Sequence, residues 1–177
     1  MNRHFLAIIF ASALLGSGVA QAGMGTKVTA RYDPFEAARV ARVGLPTIIL
    51  GEAASGLDAE AIHTLLLAPG WLGGAAFEPA VPSTSGARLV VVFNPTDPAA
   101  AKRDICRDVA ALGLGQPGPR LVIRAAYCID DEMVTRVTVA ERPLDGPDDP
   151  RLANLMRRVV EQLFPQNSRS QFDSPGL

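Results

Sequence analysis

The apolar run Arg88-Leu-Val-Val-Val-Phe-Asn94 gives the strongest indication of the fold class of this chain. Its centre is continuously apolar and rich in β-branched residues, which is typical of a strand that is buried on both faces. Such a strand lies inside a sheet, and other elements must cover that sheet on both sides. The segments before and after it alternate between helix patterns and strand patterns, as a layered domain requires.

Three Asp-Pro pairs, at residues 33–34, 97–98 and 149–150, mark the starts of predicted helices. The Asp carboxylate accepts a hydrogen bond from the first helical turn, and proline suits the first helical position, where its missing N–H costs nothing. These pairs predict helices over residues 35–43, 98–112 and 150–164. A fourth helix is predicted over residues 57–67, with Ser55 or Asp58 as its N-cap. The helix over 98–112 has an apolar stripe formed by Ala101, Ile105, Val109 and Leu112.

Strands are predicted over residues 47–50, 88–94, 121–128 and 133–141, with an early strand near residues 27–32. The acidic sequence Asp130-Asp131-Glu132 separates the last two strands, which predicts a hairpin turn. Side chains alternate along a strand, so one side of this hairpin should face the core and the other should face solvent. The core side carries Leu121, Ile123, Ala125 and Tyr127, with Met133, Val137 and Val139 as partners, and the solvent side carries Arg124 and Arg136.

This order of elements predicts an α+β or α/β fold. We expect a single layered domain over residues 23–165, with a mixed four- to five-stranded sheet, a C-terminal hairpin and three to four helices. The helical crossover between the first two firm strands makes them parallel, whereas the hairpin makes the last two antiparallel. Residues 166–177 are polar and are predicted to be a flexible tail.

The first 22 residues have the layout of a cleavable signal peptide. Arg3 supplies a positive charge, residues 5–15 form an apolar run, and Ala20-Gln21-Ala22 supplies small residues at the cleavage site. The alternative is a membrane anchor, but this run spans only about 17 Å as a helix, short of the ~30 Å hydrocarbon core. We therefore predict cleavage after Ala22, no membrane span after cleavage, and a periplasmic or secreted protein.

Export changes the meaning of the two cysteines, Cys106 and Cys128. In an oxidising compartment an isolated pair predicts one structural disulfide. The alternative is a redox or metal-binding pair, but redox pairs are usually CxxC, and two cysteines with one remaining histidine, His63, make a poor zinc site. Strict alternation puts Cys128 on the same side of its strand as Arg124. The bridge therefore requires either a relaxed strand end at Cys128 or a helix on the Arg124 side.

Composition and motifs exclude several function classes. One of the 17 basic residues, Arg3, lies in the leader, so 16 remain against 18 acidic residues, whereas nucleic-acid binding usually shows a basic excess. Aromatic residues make up only 6%, too few for a stacking platform. His63 has no GxSxG motif beside it, and no phosphate-binding glycine loop, metal site or cofactor is predicted. The acidic clusters at 130–132 and 148–149 are interpreted as a solvated turn and a helix start, although distant carboxylates could form a glycosidase pair.

Two places have binding potential. The long connection over residues 69–87 carries Trp71 and Phe77 beside flexible glycines, so these rings could anchor a partner or could fold back and cap the core. Arg124 and Arg136, if they lie across the hairpin from each other, could form a small cationic patch for a carboxylate or phosphate. The alternative for the arginines is two solvated strand residues.

The strings Tyr32-Asp-Pro-Phe-Glu36, Gly44-Leu-Pro46 and Phe93-Asn-Pro95, together with the two cysteines, resemble small uncharacterised exported bacterial proteins over residues 30–165. The resemblance implies no activity, cofactor or ligand. We expect a soluble exported protein that is a non-catalytic envelope binding or accessory module, with an envelope protein as its candidate partner. The alternatives are a small exported hydrolase that uses carboxylates and a membrane-tethered domain with an uncleaved leader.

Overall fold

The computed structural model of this protein describes residues 23–167. The predicted leader and residues 168–177 of the predicted tail lie outside the described residues. The described chain forms six strands: β1 (Gly23–Val28), β2 (Leu45–Leu50), β3 (Phe77–Pro79), β4 (Ala87–Phe93), β5 (Leu121–Ile129) and β6 (Glu132–Glu141). It also forms four α-helices, α1 (Pro34–Ala41), α2 (Ala59–Thr64), α3 (Pro98–Asp104) and α4 (Arg151–Leu163), and two 3₁₀ turns, Gly70–Leu72 and Val109–Ala111.

The strands form one mixed sheet in the order β1-β6-β5-β4-β2-β3. β2 is parallel to β3 and β4, and all other neighbours are antiparallel. The predicted class, a single layered domain with a mixed sheet and a C-terminal hairpin, is confirmed. The strand count is six rather than four to five, because β3 forms inside the Gly- and Pro-rich connection between α2 and β4. Its three residues and its Pro79 give no periodic strand pattern, and proline is tolerated there because β3 is an edge strand.

β4 is the central buried strand that its sequence predicts. Its residues 89–93 are all 0% exposed, and they alternate between two cores on opposite faces of the sheet. Leu89, Val91 and Phe93 belong to the larger core, which α1, α2 and α4 cover. Val90 and Val92 belong to a smaller core, which α3 and the 3₁₀ turn at Val109–Ala111 cover.

The Asp-Pro pairs at 33–34 and 97–98 start helices as predicted. Asp33 Oδ1 accepts a hydrogen bond from Phe35 N at 2.8 Å, and Asp97 Oδ1 accepts one from Ala99 N at 2.8 Å. Of the two caps proposed for α2, Asp58 is the one present, with its Oδ1 accepting from Ala61 N at 2.8 Å. At α4 the N-cap is Pro150. The early strand ends at Val28 instead of continuing to residue 32, because the chain must turn there to bring Asp33 to the start of α1.

The helix predicted over residues 98–112 is much shorter in the structure. α3 ends at Asp104, and the chain then turns into a separate 3₁₀ turn that Asp108 caps through its side chain. The buried Arg88 donates a hydrogen bond to the Cys106 carbonyl, which satisfies an acceptor that a continuing helix would have used. The predicted stripe still faces the sheet, since Ala101, Ile105 and Val109 are all buried.

A β-bulge in the hairpin overturns one predicted core contact. Tyr127 pairs with Thr135 but the next residue, Cys128, pairs with Met133, so Val134 is the extra residue in β6. One inserted residue shifts the alternation by one position. Met133 therefore lies on the smaller core with Cys128, instead of on the larger core with Val137 as alternation predicts.

The two sides of the sheet are not equally covered. Helices lie on the whole of the larger-core side, where α4 contacts β1, β5 and β6. On the other side the smaller core draws its residues from β2, β4 and β5, with only Met133 from β6 and none from β1. Within residues 23–167, no helix combines the length and the apolar character that a membrane crossing needs.

Candidate functional site

A disulfide fixes where α3 lies on the sheet. Cys106 and Cys128 are bridged, with their Cα atoms 5.7 Å apart, so the predicted disulfide is confirmed. Of the two arrangements that would allow the bridge, the structure has the one in which the helix lies on the Arg124 side of the sheet. Both cysteines belong to the smaller core, and the bridge joins the segment after α3 to the end of β5.

Beyond α3, three cationic side chains share the same side of neighbouring strands. Arg124 on β5 pairs with Thr138 on β6, whereas Arg136 on β6 pairs with Lys27 on β1. Directly paired residues have Cβ atoms about 5 Å apart, and diagonal neighbours about 7 Å. We call the surface made by Lys27, Arg124 and Arg136 the open cationic face. The structure therefore brings the two predicted arginines together and adds a lysine.

Neither arginine of this face has a carboxylate partner among residues 23–167. Arg124 Nη1 donates to Thr138 Oγ1, and Arg136 Nη1 donates to the Lys102 carbonyl of α3 at 3.1 Å. Arg124 Nε is buried and makes no hydrogen bond within the described chain. Partial burial lowers the pKa of both guanidinium groups, and the positive charge of Arg124 lowers that of Arg136 further. Arginine nevertheless stays charged near neutral pH, so the face keeps incompletely compensated positive charge.

The acids of the same strands lie elsewhere. Glu132 and Glu141, at the two ends of β6, pair with Ile129 and Leu121. Leu121 packs on the larger core, so alternation places Glu141 on the opposite side of the sheet from Arg136. Glu132 lies at the hairpin end, where it forms an ion pair with Arg31. The described residues of β1 include no acid. The open cationic face thus keeps its positive charge because alternation removes Glu141 to the other side and Arg31 pairs with Glu132.

A third arginine, and thus a fourth cation, lies under α3 on the same side of the sheet. Arg88 on β4 pairs with Cys128 and is only 4% exposed. It donates to the carbonyls of Gly86 at 3.1 Å and Cys106, and among the described residues it has no ion pair. It holds the end of α3 and adds positive charge behind the open cationic face.

A groove of about 770 Å³ lies between α3 and the hairpin. Cys106 and Met133 line its inner part, whereas its rim carries charges of both signs: Arg31, Lys102, Arg103, Arg107, Asp104, Asp130, Asp131 and Glu132. Arg31 and Glu132 on this rim form an ion pair. Because the rim charges largely compensate each other, the groove lacks the excess positive charge of the open cationic face.

The other predicted binding residues lie away from this face. Trp71 is in the 3₁₀ turn at Gly70–Leu72, and Phe77 is in β3. Both are half-buried and pack against the larger core, and the Phe77 ring centroid is 6.3 Å from that of Phe164. The structure thus places both rings where they cover the core, on the opposite side of the sheet from Arg136.

The groups considered for catalysis are dispersed. β6 separates the acidic turn at 130–132 from Asp149, and its ten residues correspond to roughly 30 Å of extended chain. The Asp149 carboxylate accepts hydrogen bonds from both the guanidinium and the backbone N–H of Arg151. Burial lowers the pKa of His63. No group of three His, Cys, Asp or Glu side chains in residues 23–167 is arranged to hold a metal ion.

Sequence reasoning missed Lys27 and Arg88. Lys27 becomes a neighbour of Arg136 only through the pairing of β1 with β6, and a strand pattern near residues 27–32 does not show which strand it pairs with. Arg88 is the first residue of the apolar run over residues 88–94, and its charged side chain gave no signal of burial. No protein-family model, no curated protein sequence and no solved structure matches this chain, so no family's activity can be carried over to it.

Proposed function

We propose that this protein is exported to the periplasm or beyond and serves, without catalysis, as a binding module for an anionic partner. The binding surface is the open cationic face of Lys27, Arg124 and Arg136. The observation that carries the proposal is the grouping of three cations on one side of β5, β6 and β1, where neither arginine has a carboxylate partner among residues 23–167.

Export is supported by two independent features. The first 22 residues have the pattern of a secretory leader, and both cysteines of the chain are bridged, which is typical of proteins from oxidising compartments. Cleavage after Ala22 would also place the new terminal ammonium group on Gly23, the first residue of β1. This group would add a fourth positive charge at the edge of the same face.

Charge and burial both favour anion binding at this face. Arg124 and Arg136 are already partly desolvated, so an anion that reaches them interacts in a medium of lower dielectric than water. A guanidinium group can form two parallel hydrogen bonds with a carboxylate or a phosphate. The chain as a whole carries a formal charge of −1, so binding of a polyanion requires a local surface rather than net attraction.

The test uses inorganic polyphosphate, a polyanion without peptide groups, and the protein produced from the full chain. We expect calorimetric titration at low salt to show binding that weakens as salt rises, because salt screens exposed charges. Replacing both Lys27→Gln and Arg136→Gln should weaken binding about tenfold or more, which corresponds to about 1.4 kcal/mol.

The matched control is Arg158→Gln, which removes one charge from the exposed side of α4, across the sheet from the open cationic face. It should leave the affinity nearly unchanged. The proposal is wrong if the wild-type protein does not bind polyphosphate. It is also wrong if Arg158→Gln weakens binding as much as Lys27→Gln alone or Arg136→Gln alone.

A further inference from the structure

β1 is an edge strand whose outer side has no pairing partner within residues 23–167. It pairs along all six residues with β6 and ends the sheet. The outer N–H and C=O groups of such a strand form a template to which another extended chain can add. A docking position for a further strand therefore exists directly beside the open cationic face.

β1 has six residues, no proline and no bulge, so three of the usual features that block strand addition are absent. The fourth, a lysine on the edge, is present as Lys27, and its charge discourages a basic strand rather than an acidic one. Gly23 and Gly25 present no side chain on the open side, and a Cβ atom built on either would meet nothing within 4 Å. On the opposite side the strand is held in place, since Thr26 Oγ1 donates to Gln162 Oε1 of α4 at 2.7 Å. The edge is thus unobstructed on its open side and supported on the other. By contrast, the other edge strand, β3, has only three residues and ends in Pro79, two features that discourage pairing.

The positive charge of the face favours an acidic strand at the β1 edge. Side chains on every second residue of an added strand would lie on the open side, about 5 Å from the β1 row that contains Lys27. Carboxylates in those positions would meet Lys27, and Arg136 lies on the next strand behind it. A second copy of this chain paired through β1 would instead place a second set of the same cations on one continuous surface. The charges therefore favour an acidic partner over self-association.

We propose that the β1 edge takes up an extended acidic segment of a partner protein as a seventh strand, with carboxylates on alternate residues lying beside Lys27 at the margin of the open cationic face. This inference rests on the proposed anion-binding function and adds the class of partner and the mode of binding. The backbone of β1 supplies affinity through hydrogen bonds, and Lys27 and Arg136 supply the preference for acidic residues.

Three seven-residue peptides test it against the full-length protein. The first alternates threonine and glutamate, the second has the same side chains but N-methyl groups on all internal amides, and the third alternates threonine and lysine. N-methylation removes the backbone donors and blocks pairing while the carboxylates stay. We expect only the first peptide to bind well, with the other two about tenfold weaker or more. Amide hydrogen exchange should slow at the β1 positions that point away from β6, and Lys27→Glu should weaken binding of the glutamate peptide.

Each contrary result has a distinct meaning. If the N-methylated peptide binds as well as its parent, or if exchange in β1 does not change, strand addition is wrong, and polyphosphate binding decides separately whether anion binding stands. If the lysine peptide binds as well as the glutamate peptide, the assigned partner chemistry is wrong. If sedimentation shows a dimer that the glutamate peptide dissociates, the edge belongs to a second copy and the proposal fails. If neither the glutamate peptide nor polyphosphate binds, both the strand-addition proposal and the proposed function are wrong.

Discussion

At the scale of single residues, Asn94 shows how one polar side chain can join separate segments. It follows β4 with a φ of 46°, a left-handed conformation that asparagine tolerates better than most residues. Its Nδ2 donates to the Glu52 carbonyl at 2.7 Å, and its Oδ1 accepts from Val122 N at 3.0 Å. One side chain thus links the loop after β2 to the start of β5, which stabilises the end of the sheet.

Asp149 is a second residue with a local structural role. Its two carboxylate oxygens accept bonds from the Arg151 guanidinium and from the backbone N–H groups of Asp145 and Arg151. These donors hold the pKa of Asp149 well below its usual range. The carboxylate therefore stays ionised in ordinary buffers and organises the turn before α4. This structural role accounts for an aspartate at position 149.

The two tyrosines of the chain give a prediction at this scale. Tyr32 and Tyr127 are 5% and 2% exposed, and their hydroxyl groups have no hydrogen-bond partner in the described chain. Burial raises the pKa of Tyr127 to about 12, and it raises that of Tyr32 above its usual range. Because both folded-state pKa values lie above the unfolded values near 10, their contribution to stability is complete below about pH 10 and is lost as pH rises towards about 12.

Absorbance at about 295 nm measures this directly. At about pH 10.5 the native protein should show little tyrosinate, whereas the protein in urea should show most of its tyrosine ionised. Tyr127→Phe serves as the control: it should change stability at pH 7 by no more than about 1 kcal/mol, since it removes an unpaired hydroxyl group. Equal ionisation in native and unfolded protein would contradict the burial of these rings.

At the scale of elements, the segment that covers the smaller core depends on its bridge. α3 has only seven residues, too few for a stable isolated helix, and it is followed by a turn and a 3₁₀ turn rather than by more helix. The bridge and the bond from Arg88 to the Cys106 carbonyl hold this segment on the sheet. Its position in turn places the Lys102 carbonyl where it accepts from Arg136.

Removal of the bridge should therefore destabilise the protein and loosen one side of it. The cysteines are 22 residues apart, and closing a loop of this length contributes about 3 kcal/mol on the chain-entropy estimate. The Cys106→Ala/Cys128→Ala variant should lose roughly that amount in urea unfolding, and amide exchange should rise first in α3. Wild-type protein under reducing conditions is the matched comparison and should lose a similar amount. A loss below about 1 kcal/mol in both would show that packing, not the bridge, holds this segment.

At the scale of the whole molecule, the side of the sheet that helices cover less is also the side that carries the open cationic face. Three helices close one side of the sheet around the larger core, whereas α3 covers only part of the other side. The uncovered part carries Lys27, Arg124 and Arg136 and ends at the β1 edge. The chain is nearly neutral in total, so this asymmetry, rather than composition, gives the molecule a surface suited to an anionic partner.

The export proposal makes a prediction for the intact molecule. Protein produced from the full 177-residue chain should be recovered from the periplasmic or secreted fraction with Gly23 as its first residue and without titratable thiol. N-terminal sequencing and a thiol assay in denaturant measure both. The same chain without its first 22 residues, made in a reducing cytoplasm, is the control and should contain two thiols. Recovery of Met1 together with two free thiols from the exported fraction would contradict the proposal.

Short-range patterns in the sequence determined most elements of the fold. The continuous apolar run of β4, the period of α4 and the acidic hairpin turn predict those elements because each depends on residues close together in the chain. Asp33 and Asp97 were recognisable as caps for the same reason. The disulfide was predictable from the two cysteines together with the predicted leader, because the cysteines of an exported protein meet an oxidising compartment.

Features that depend on contacts between distant segments could not be predicted from local patterns. The bulge at Val134 reversed the side on which Met133 lies, and only the pairing of two complete strands could reveal it. Lys27 joined Arg136 through a register between β1 and β6, more than a hundred residues apart in the chain. The hairpin sequence by itself nominated Arg124 and Arg136 as a pair. Whether these arginines would be exposed or covered by a helix depended on how far α3 reaches across the sheet. Sequence patterns do not show this, because the free energy of covering a sheet face comes from packing between elements and not from the local preferences of any one element.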